Sequence, residues 1–267
     1  MNGGKVYLVG AGPGAADLLS LRAVRLLDKA EVIIYDALLP ESFVVEAGVS
    51  TDNKELHWLG AEHPHPSLSQ VCAVMLEAAR AGKTVVRLKN GDPFVFGRGQ
   101  EEIEYLQREG IAWEVVPGPS AFSSVLGEAG FSLTDRRAAR SFAVVSARAA
   151  GGETNLVYPR ADSLVIYMGV AVVAEVQAQL LRDGWPPRTP VAMIERGCLP
   201  GARCITTTLE HLSRRVECEG VESPCLLVIG AAAARRLAAP ALSAPLEPAE
   251  RPAGPPAWAP AGRSSEA

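Results

Sequence analysis

The chain contains the segment Lys89-Asn90-Gly91-Asp92-Pro93-Phe94-Val95-Phe96-Gly97-Arg98-Gly99, in which glycines are interspersed with charged and aromatic side chains. The β-branched run at residues 84–88 predicts a buried strand before it, and the amphipathic run at residues 100–106 predicts a helix after it. The segment is therefore predicted to be a loop between a strand and a helix. In an open α/β sheet such loops lie at the carboxyl ends of the strands, where ligands bind. The glycines allow the backbone to approach a ligand closely.

Two further loops of small residues follow predicted strands. Residues 10–17 follow a predicted strand at residues 5–9, and residues 117–121 follow one at residues 111–116. Each loop precedes a predicted helix, as the 89–99 loop does. We therefore expect the three loops to converge on one edge of one parallel sheet.

The first loop allows an alternative interpretation. Gly10, Gly12 and Ala15 fit the dinucleotide-binding pattern G-x-G-x-x-G/A, and Asp36 lies about where the ribose-binding acid would stand. A nicotinamide or flavin oxidoreductase is therefore an alternative. Asp17 weakens it, because an N-cap at this residue would start the helix too late for the usual tight turn onto a pyrophosphate.

The second half of the chain also alternates between strands and helices. Strand character resumes after a linker-like stretch at residues 130–137, and the alternation up to residue 230 predicts α/β structure. Residues from 239 onward are mostly Pro, Ala, Ser and Glu, a composition that cannot bury a core. We predict an N-terminal α/β domain at 1–137, a C-terminal α/β domain at 138–238 and a disordered tail at 239–267.

Composition excludes several classes of function. The 26 Lys and Arg residues nearly balance 30 Asp and Glu residues, which argues against binding of nucleic acid or of acidic membranes. No apolar run is long enough to span a bilayer, and no apolar leader precedes the first strand. The five cysteines show no CxxC spacing, which favours reduced thiols in a cytoplasmic protein. His63-Pro64-His65 lacks a further ligand at a supporting spacing, so we predict a loop there and no metal site.

Taken together, several motifs resemble those of the tetrapyrrole methylases, and in particular the uroporphyrinogen-III C-methyltransferase branch of that family. They occur in the family's order over about residues 5–230. The motifs are Val9-Gly-Ala-Gly-Pro-Gly14, Ile34-Tyr-Asp-Ala-Leu38, the run from Val86 to Gly99, Val116-Pro-Gly118, Leu133-Thr134 with Arg136, Val165-Ile-Tyr-Met-Gly169 and Glu195-Arg-Gly197.

The resemblance implies two α/β domains that hold S-adenosyl-L-methionine in the cleft between them, in a homodimer. It also implies transfer of methyl groups to carbons 2 and 7 of uroporphyrinogen III, which gives precorrin-2 and S-adenosyl-L-homocysteine. The positions that match the family's cofactor contacts are Pro13, Asn90, Gly91, Asp92, Val95, Ser120, Ala121, Met168, Ala192 and Gly197. Those that match its tetrapyrrole contacts are Asp36, Arg98, Glu101 and Arg136.

The chemistry suits these residue types. A sulfonium methyl group needs no acid in order to leave, so the protein must mainly align an electron-rich carbon with it and exclude water. Asp36 is the candidate base, and Arg98 and Arg136 are candidate clamps for the carboxylates of the substrate. Structural roles are the alternatives: Asp36 as a helix cap, Arg136 as a solvated linker charge, and Met168 as a core residue.

The chain also departs from the family pattern. Where the family has Gly-Lys-Arg-Ala-Gly-x-His, with the lysine as proton donor, residues 58–62 read Trp-Leu-Gly-Ala-Glu. Asn90 replaces the first glycine of Gly-Gly-Asp-Pro, Ser120 replaces a threonine and Arg148 replaces a histidine. Four alternatives follow from these departures: slower chemistry, substitution of the lysine by His57 or His63, a later precorrin as substrate, or a paralogue that binds without turnover.

Overall fold

Two five-stranded sheets with helices packed against them make up the protein, as seen in a computed structural model that describes residues 4–60, 66–149, 154 and 157–237. The predicted α/β architecture is confirmed. The predicted tail at 239–267 and the histidines His63 and His65 lie outside the described residues.

The first sheet is entirely parallel, with the strand order β3-β2-β4-β1-β5. Strand β1 therefore lies between β4 and β5, and the carboxyl ends of all three point the same way. Its strands are β1 (Lys5–Gly10), β2 (Val32–Tyr35), β3 (Glu55–Trp58), β4 (Thr84–Lys89) and β5 (Ala112–Val116). The helices that follow them along the chain are α1 (Leu21–Lys29), α2 (Phe43–Glu46), α3 (Leu68–Arg80), α4 (Gly99–Arg108) and α5 (Ala121–Glu128).

Strand β4 shows how the first sheet is covered on both faces. Val86 and Leu88 pack into a core with α1 and α2, whereas Val85 packs into a separate core with α3 and α4. Because side chains alternate along a strand, Arg87 and Lys89 lie on the same face as Val85, towards the carboxyl end. This alternation brings two cations to the edge of the sheet where ligands bind in such folds.

The second sheet is mixed. Its strand order is β6-β7-β10-β8-β9, in which only the β6–β7 pair is parallel. Two helices, α6 (Val173–Arg182) and α7 (Leu212–Glu219), contribute to the core on one of its faces. The strands are β6 (Phe142–Ser146), β7 (Ser163–Tyr167), β8 (Pro190–Glu195), β9 (Arg203–Thr208) and β10 (Cys225–Gly230).

Helix α5 follows the first sheet along the chain but packs on the second. Val125 and Leu126 share a buried cluster with Ala192 and Ile194 of β8. At the start of the helix, the amide of Phe122 donates a hydrogen bond of 2.8 Å to the hydroxyl of Tyr167 on β7. The helix therefore links the two sheets, while the boundary between residues 137 and 138 stays a prediction.

The start of α1 differs from the prediction. The helix begins at Leu21 and is capped by Ser20, whose hydroxyl accepts a hydrogen bond of 3.1 Å from the amide of Ala23. Asp17 lies instead in a separate short 3-10 turn, so the predicted cap at Asp17 and the predicted start at residue 18 are wrong. Extended backbone at Leu19 and Ser20 separates the turn from the helix.

Within the described ranges, no helix has both the length and the apolar character that a membrane span requires.

Candidate functional site

The three small-residue loops of the first sheet converge, as predicted. Gly12 and Gly91 exchange two backbone hydrogen bonds, of 3.2 and 2.7 Å, so the loops after β1 and β4 are joined. The carboxylate of Asp92 accepts a hydrogen bond of 3.2 Å from the amide of Gly118, which joins the loop after β5. Gly10 packs so tightly on Gly118 that a Cβ there would lie 2.4 Å from the Gly118 nitrogen.

Left-handed backbone conformations cluster in the same region. Phe96, Arg98 and Met168 have φ angles of 56°, 57° and 55°, which side chains other than glycine adopt at an energetic cost. Two of them lie in the loop after β4, and the third follows β7 of the second sheet. Such strain persists only where the surrounding structure imposes it, and it is common at ligand-binding sites.

A cavity of about 410 Å³ lies where these loops meet the end of β7. Most of the predicted site residues line it, and they come from both halves of the chain. Those in the lining are Asp36, Asn90, Gly91, Asp92, Val95, Arg98, Ser120, Ala121 and Met168. Met168 is therefore no simple core residue, since its side chain is 45% exposed at the mouth of the cavity.

The other predicted cofactor residues lie behind this lining. Pro13 is buried in the loop after β1. Ala192 is fully buried in the cluster beneath α5, and a Cβ on Gly197 would lie 2.2 Å from the side chain of Val125. Ala192 and Gly197 thus pack against the helix that contributes Ala121 to the cavity.

Glu101 and Arg136 also lie outside the described lining of the cavity. Glu101 is exposed on α4 and accepts two hydrogen bonds from Arg98, at 2.9 and 2.8 Å. This pairing lowers the pKa of the Glu101 carboxyl and keeps both groups charged. Arg136 is exposed in the turn formed by residues 135–139.

Three charged residues that sequence reasoning missed form the floor of the cavity. Arg87 and Lys89 of β4 and Glu102 of α4 are each at most 3% exposed, and all three line the cavity. Glu102 Oε1 accepts hydrogen bonds from Arg87 Nε at 3.1 Å and from Lys89 Nζ at 2.8 Å. The sequence carried a signal for the two cations, because cations at alternate positions of a β-branched strand must share one face, but it carried none for their pairing with Glu102.

Asp36 completes this network. Its Oδ1 accepts a hydrogen bond from Arg87 Nη2, and its Oδ2 accepts one of 2.9 Å from the amide of Asn90. Burial raises the pKa of the Asp36 carboxyl, but the positive charges of Arg87 and Lys89 outweigh burial and lower it. Asp36 therefore stays ionised at neutral pH. It caps no helix, so that alternative is wrong.

The mouth of the cavity is apolar. Leu38, Phe96 and Met168 line it and are 52%, 45% and 45% exposed. The ring of Phe96 packs on Tyr167, with 5.0 Å between ring centroids. Exposed apolar side chains gathered around one opening are typical of a binding site for a large ligand. The cavity thus combines a charged floor with an apolar mouth.

No group of three metal-ligating side chains occurs among the described residues. His57, one candidate for the missing lysine, contacts Glu55 at 2.7 Å and is absent from the described lining of the cavity. The other, His63, lies outside the described residues.

The chain is similar to known proteins over most of its length. The family model described as Tetrapyrrole (Corrin/Porphyrin) Methylases matches residues 5–213. Siroheme synthase from Azotobacter vinelandii is 42% identical over 232 residues, which cover 85% of this chain and 50% of that protein. The chain thus spans about half the length of the curated relatives it matches.

Solved structures give matches of similar extent. Uroporphyrin-III C-methyltransferase from Thermus thermophilus, in complex with S-adenyl homocysteine, is 38% identical with a TM-score of 0.72, covering 85% of this chain and 97% of that one. A cobalt precorrin-4 methyltransferase is 24% identical with a TM-score of 0.74, covering 85% and 94% of the two chains, and it shares the fold.

Proposed function

Because this chain belongs to the tetrapyrrole methylase family, we propose that it is an S-adenosyl-L-methionine-dependent C-methyltransferase that converts uroporphyrinogen III to precorrin-2. The observation that carries this proposal is the meeting of predicted cofactor and substrate residues from both halves of the chain around one cavity. The family match removes the support for a nicotinamide or flavin oxidoreductase.

The cavity fits a sulfonium cofactor. The buried Oδ1 of Asn90 has no hydrogen-bond partner among the described residues, so it can accept a hydrogen bond from a ligand. Around it, the small residues Gly91, Ser120 and Ala121 leave space for a ligand to approach the backbone. When bound, the cofactor supplies an electrophilic methyl group.

The mouth of the cavity fits a tetrapyrrole. Leu38, Phe96 and Met168 offer an apolar surface to a large ring system, and Arg98 stands beside them with an exposed guanidinium group. Two hydrogen bonds from Arg98 to Glu101 orient this guanidinium, which suits planar recognition of a carboxylate. Arg136 is proposed as a second clamp, for a carboxylate at the periphery of the substrate.

Asp36 is the proposed proton acceptor. Each transfer of a methyl cation to a pyrrole carbon must be balanced by loss of one proton from the substrate, and a carboxylate can take it up. The lowered pKa of Asp36 keeps the carboxylate ionised at neutral pH, in the form that can take up a proton. A quarter of the side chain is exposed, which leaves a route to solvent. The same negative charge stabilises the positive charge that develops on the ring.

The test is incubation of the purified protein with S-adenosyl-L-methionine and fresh uroporphyrinogen III, followed by mass analysis. A doubly methylated product supports the proposal. Product formed only from precorrin-2 or precorrin-4 would assign the chain to a later step. No product, with S-adenosyl-L-homocysteine still bound, would indicate a paralogue that binds without turnover.

A matched pair of variants refines the test. Asp36→Ala is expected to lower turnover while leaving the affinity for S-adenosyl-L-homocysteine within about three-fold, because the residue acts on the substrate. Glu104→Gln, on the exposed face of α4, is the control. A large loss of cofactor affinity in Asp36→Ala would show that this residue holds the cofactor instead.

We also propose that the protein is a cytoplasmic homodimer. In each chain the N-terminal domain would span 1–137, the C-terminal domain 138–238 and the disordered tail 239–267. Five cysteines without a disulfide support a reducing compartment. The net charge of -4 gives no support for nucleic-acid binding. Light scattering on a sizing column tests the dimer, since a monomer mass at micromolar protein would contradict it.

A further inference from the structure

Glu102 and Asp36 accept hydrogen bonds from two different nitrogens, Nε and Nη2, of the Arg87 guanidinium group. We propose that Glu102 is a positioning residue for methyl transfer, which acts through Arg87 on Asp36. This inference rests on the proposed function, because it assigns Glu102 a role in the same site.

The guanidinium of Arg87 is anchored at all three nitrogens. Nε donates to Glu102 Oε1 at 3.1 Å, Nη1 donates to the carbonyl of Leu88 at 3.0 Å, and Nη2 donates to Asp36 Oδ1. Because the group is planar and rigid, the bond at Nε fixes the direction in which Nη2 points. Glu102 therefore determines where Arg87 holds the Asp36 carboxylate.

The charge balance of the network leads to the same conclusion. The side chains of Arg87, Lys89 and Glu102 are 4%, 4% and 2% exposed, so water cannot compensate for a missing charge. Without the negative charge of Glu102, Arg87 and Lys89 would share Asp36 as their remaining anionic partner in the network. Lys89 would then be drawn towards Asp36, and the carboxylate would leave its position.

Glu102 also has unused hydrogen-bonding capacity. Its Oε2 is buried without a hydrogen-bond partner among the described residues, while Oε1 accepts two bonds. If Glu102 served stability alone, one hydrogen bond on each carboxylate oxygen would be the more stable arrangement, because a buried acceptor without a partner costs free energy. Instead, Arg87 and Lys89 both donate to Oε1 of Glu102, and Nη2 of Arg87 remains directed at Asp36.

A double-mutant cycle tests this inference. Glu102→Gln is expected to lower kcat by about 10-fold or more while the KM for S-adenosyl-L-methionine stays within about three-fold. On an Asp36→Asn background the same change should cost less than about two-fold, because its target is already lost. Glu104→Gln, with an exposed side chain on the same helix, should leave kcat unchanged. The inference would be overturned if Glu102→Gln lowered kcat by the same factor on the wild-type and Asp36→Asn backgrounds, or if it left kcat unchanged.

Two further measurements keep the inference falsifiable. Arg87→Lys retains the positive charge but lacks the planar guanidinium group that joins Glu102 to Asp36. This variant should therefore show the same loss of kcat, and it provides the test if Glu102→Gln fails to fold. A crystal structure of a folded variant should show the Asp36 carboxylate displaced, and an unmoved carboxylate would refute the role of Glu102 whatever the substrate is. Failure of the proposed function is distinct from this, since the wild-type protein would then form no methylated product.

Discussion

Replacement of Gly10 by alanine should separate the three loops that form the cavity. Gly10 ends β1, and its Cα lies against the backbone of the loops that follow β4 and β5. An added Cβ would lie 2.4 Å from the nitrogen of Gly118, 2.6 Å from its Cα and 2.7 Å from the carbonyl oxygen of Gly91. These neighbours are backbone atoms, so none of them can move aside by changing a rotamer.

The size of the effect follows from these distances. An ordinary contact of about 3.4 Å requires the backbones to part by about 1 Å, and overpacking of this kind costs about 1–3 kcal/mol. We expect the upper end, about 3 kcal/mol, because the strands on both sides are held in one ladder. For a chain of this size that corresponds to a fall in Tm of about 6–12 °C. A shift of about 1 Å in the site would also lower turnover about 100-fold.

Differential scanning calorimetry and the methylation assay measure the two effects. Gly127→Ala is the matched control, since Gly127 lies in α5 with open space around it and should gain about 0.5–1 kcal/mol from its higher helix propensity. A Gly10→Ala protein whose Tm stays within about 1 °C of wild type would refute the close packing of the three loops.

Three other changes test the link between the sheets, the charge of Asp36 and the clamp at the mouth. Tyr167→Phe leaves the amide of Phe122 without its acceptor and should cost about 1–2 kcal/mol in urea unfolding; an unchanged midpoint would contradict the link. Asp36→Asn should cost about 2 kcal/mol at pH 7, less than for a fully buried pair because a quarter of the side chain is exposed. Since the folded pKa of Asp36 is lowered, this difference should hold above pH about 4 and shrink as the pH falls further; a difference that grows at low pH would contradict it. Arg98→Ala should raise the KM for the tetrapyrrole about 10-fold with little change in S-adenosyl-L-homocysteine affinity, and the reverse pattern would place Arg98 at the cofactor.

The loops of the first sheet were predictable because their signals are local. Each follows a β-branched run and precedes a helical one, and parallel strands must present their carboxyl ends together. The path of the chain between β2 and α3 was not predictable in this way. Helix α2 has only four residues, and β3 places the polar residues Glu55 and His57 among its four positions, so neither gives a clear periodic signal.

The candidate site was predictable only in its outer part. Asn90, Gly91, Asp92, Val95 and Arg98 of the 89–99 loop and Met168 were identified from motifs, and the structure brings them to one cavity. The buried network of Arg87, Lys89 and Glu102 depends on a contact between a strand and a helix that no local pattern encodes. Likewise, Ser20 rather than Asp17 caps α1, because both are good capping residues and tertiary packing selects between them.

The strand order of the second sheet has a consequence for synthesis of the chain. Strand β10 is the last strand of that sheet to leave the ribosome, yet it lies at the sheet's centre, between β7 and β8. Until residues 225–230 emerge, the sheet has a gap in its middle, and the apolar side of α5 has no complete surface to cover it. A nascent chain therefore exposes apolar surface until residue 230 has left the ribosome, and a chaperone bound during this interval would protect it from aggregation.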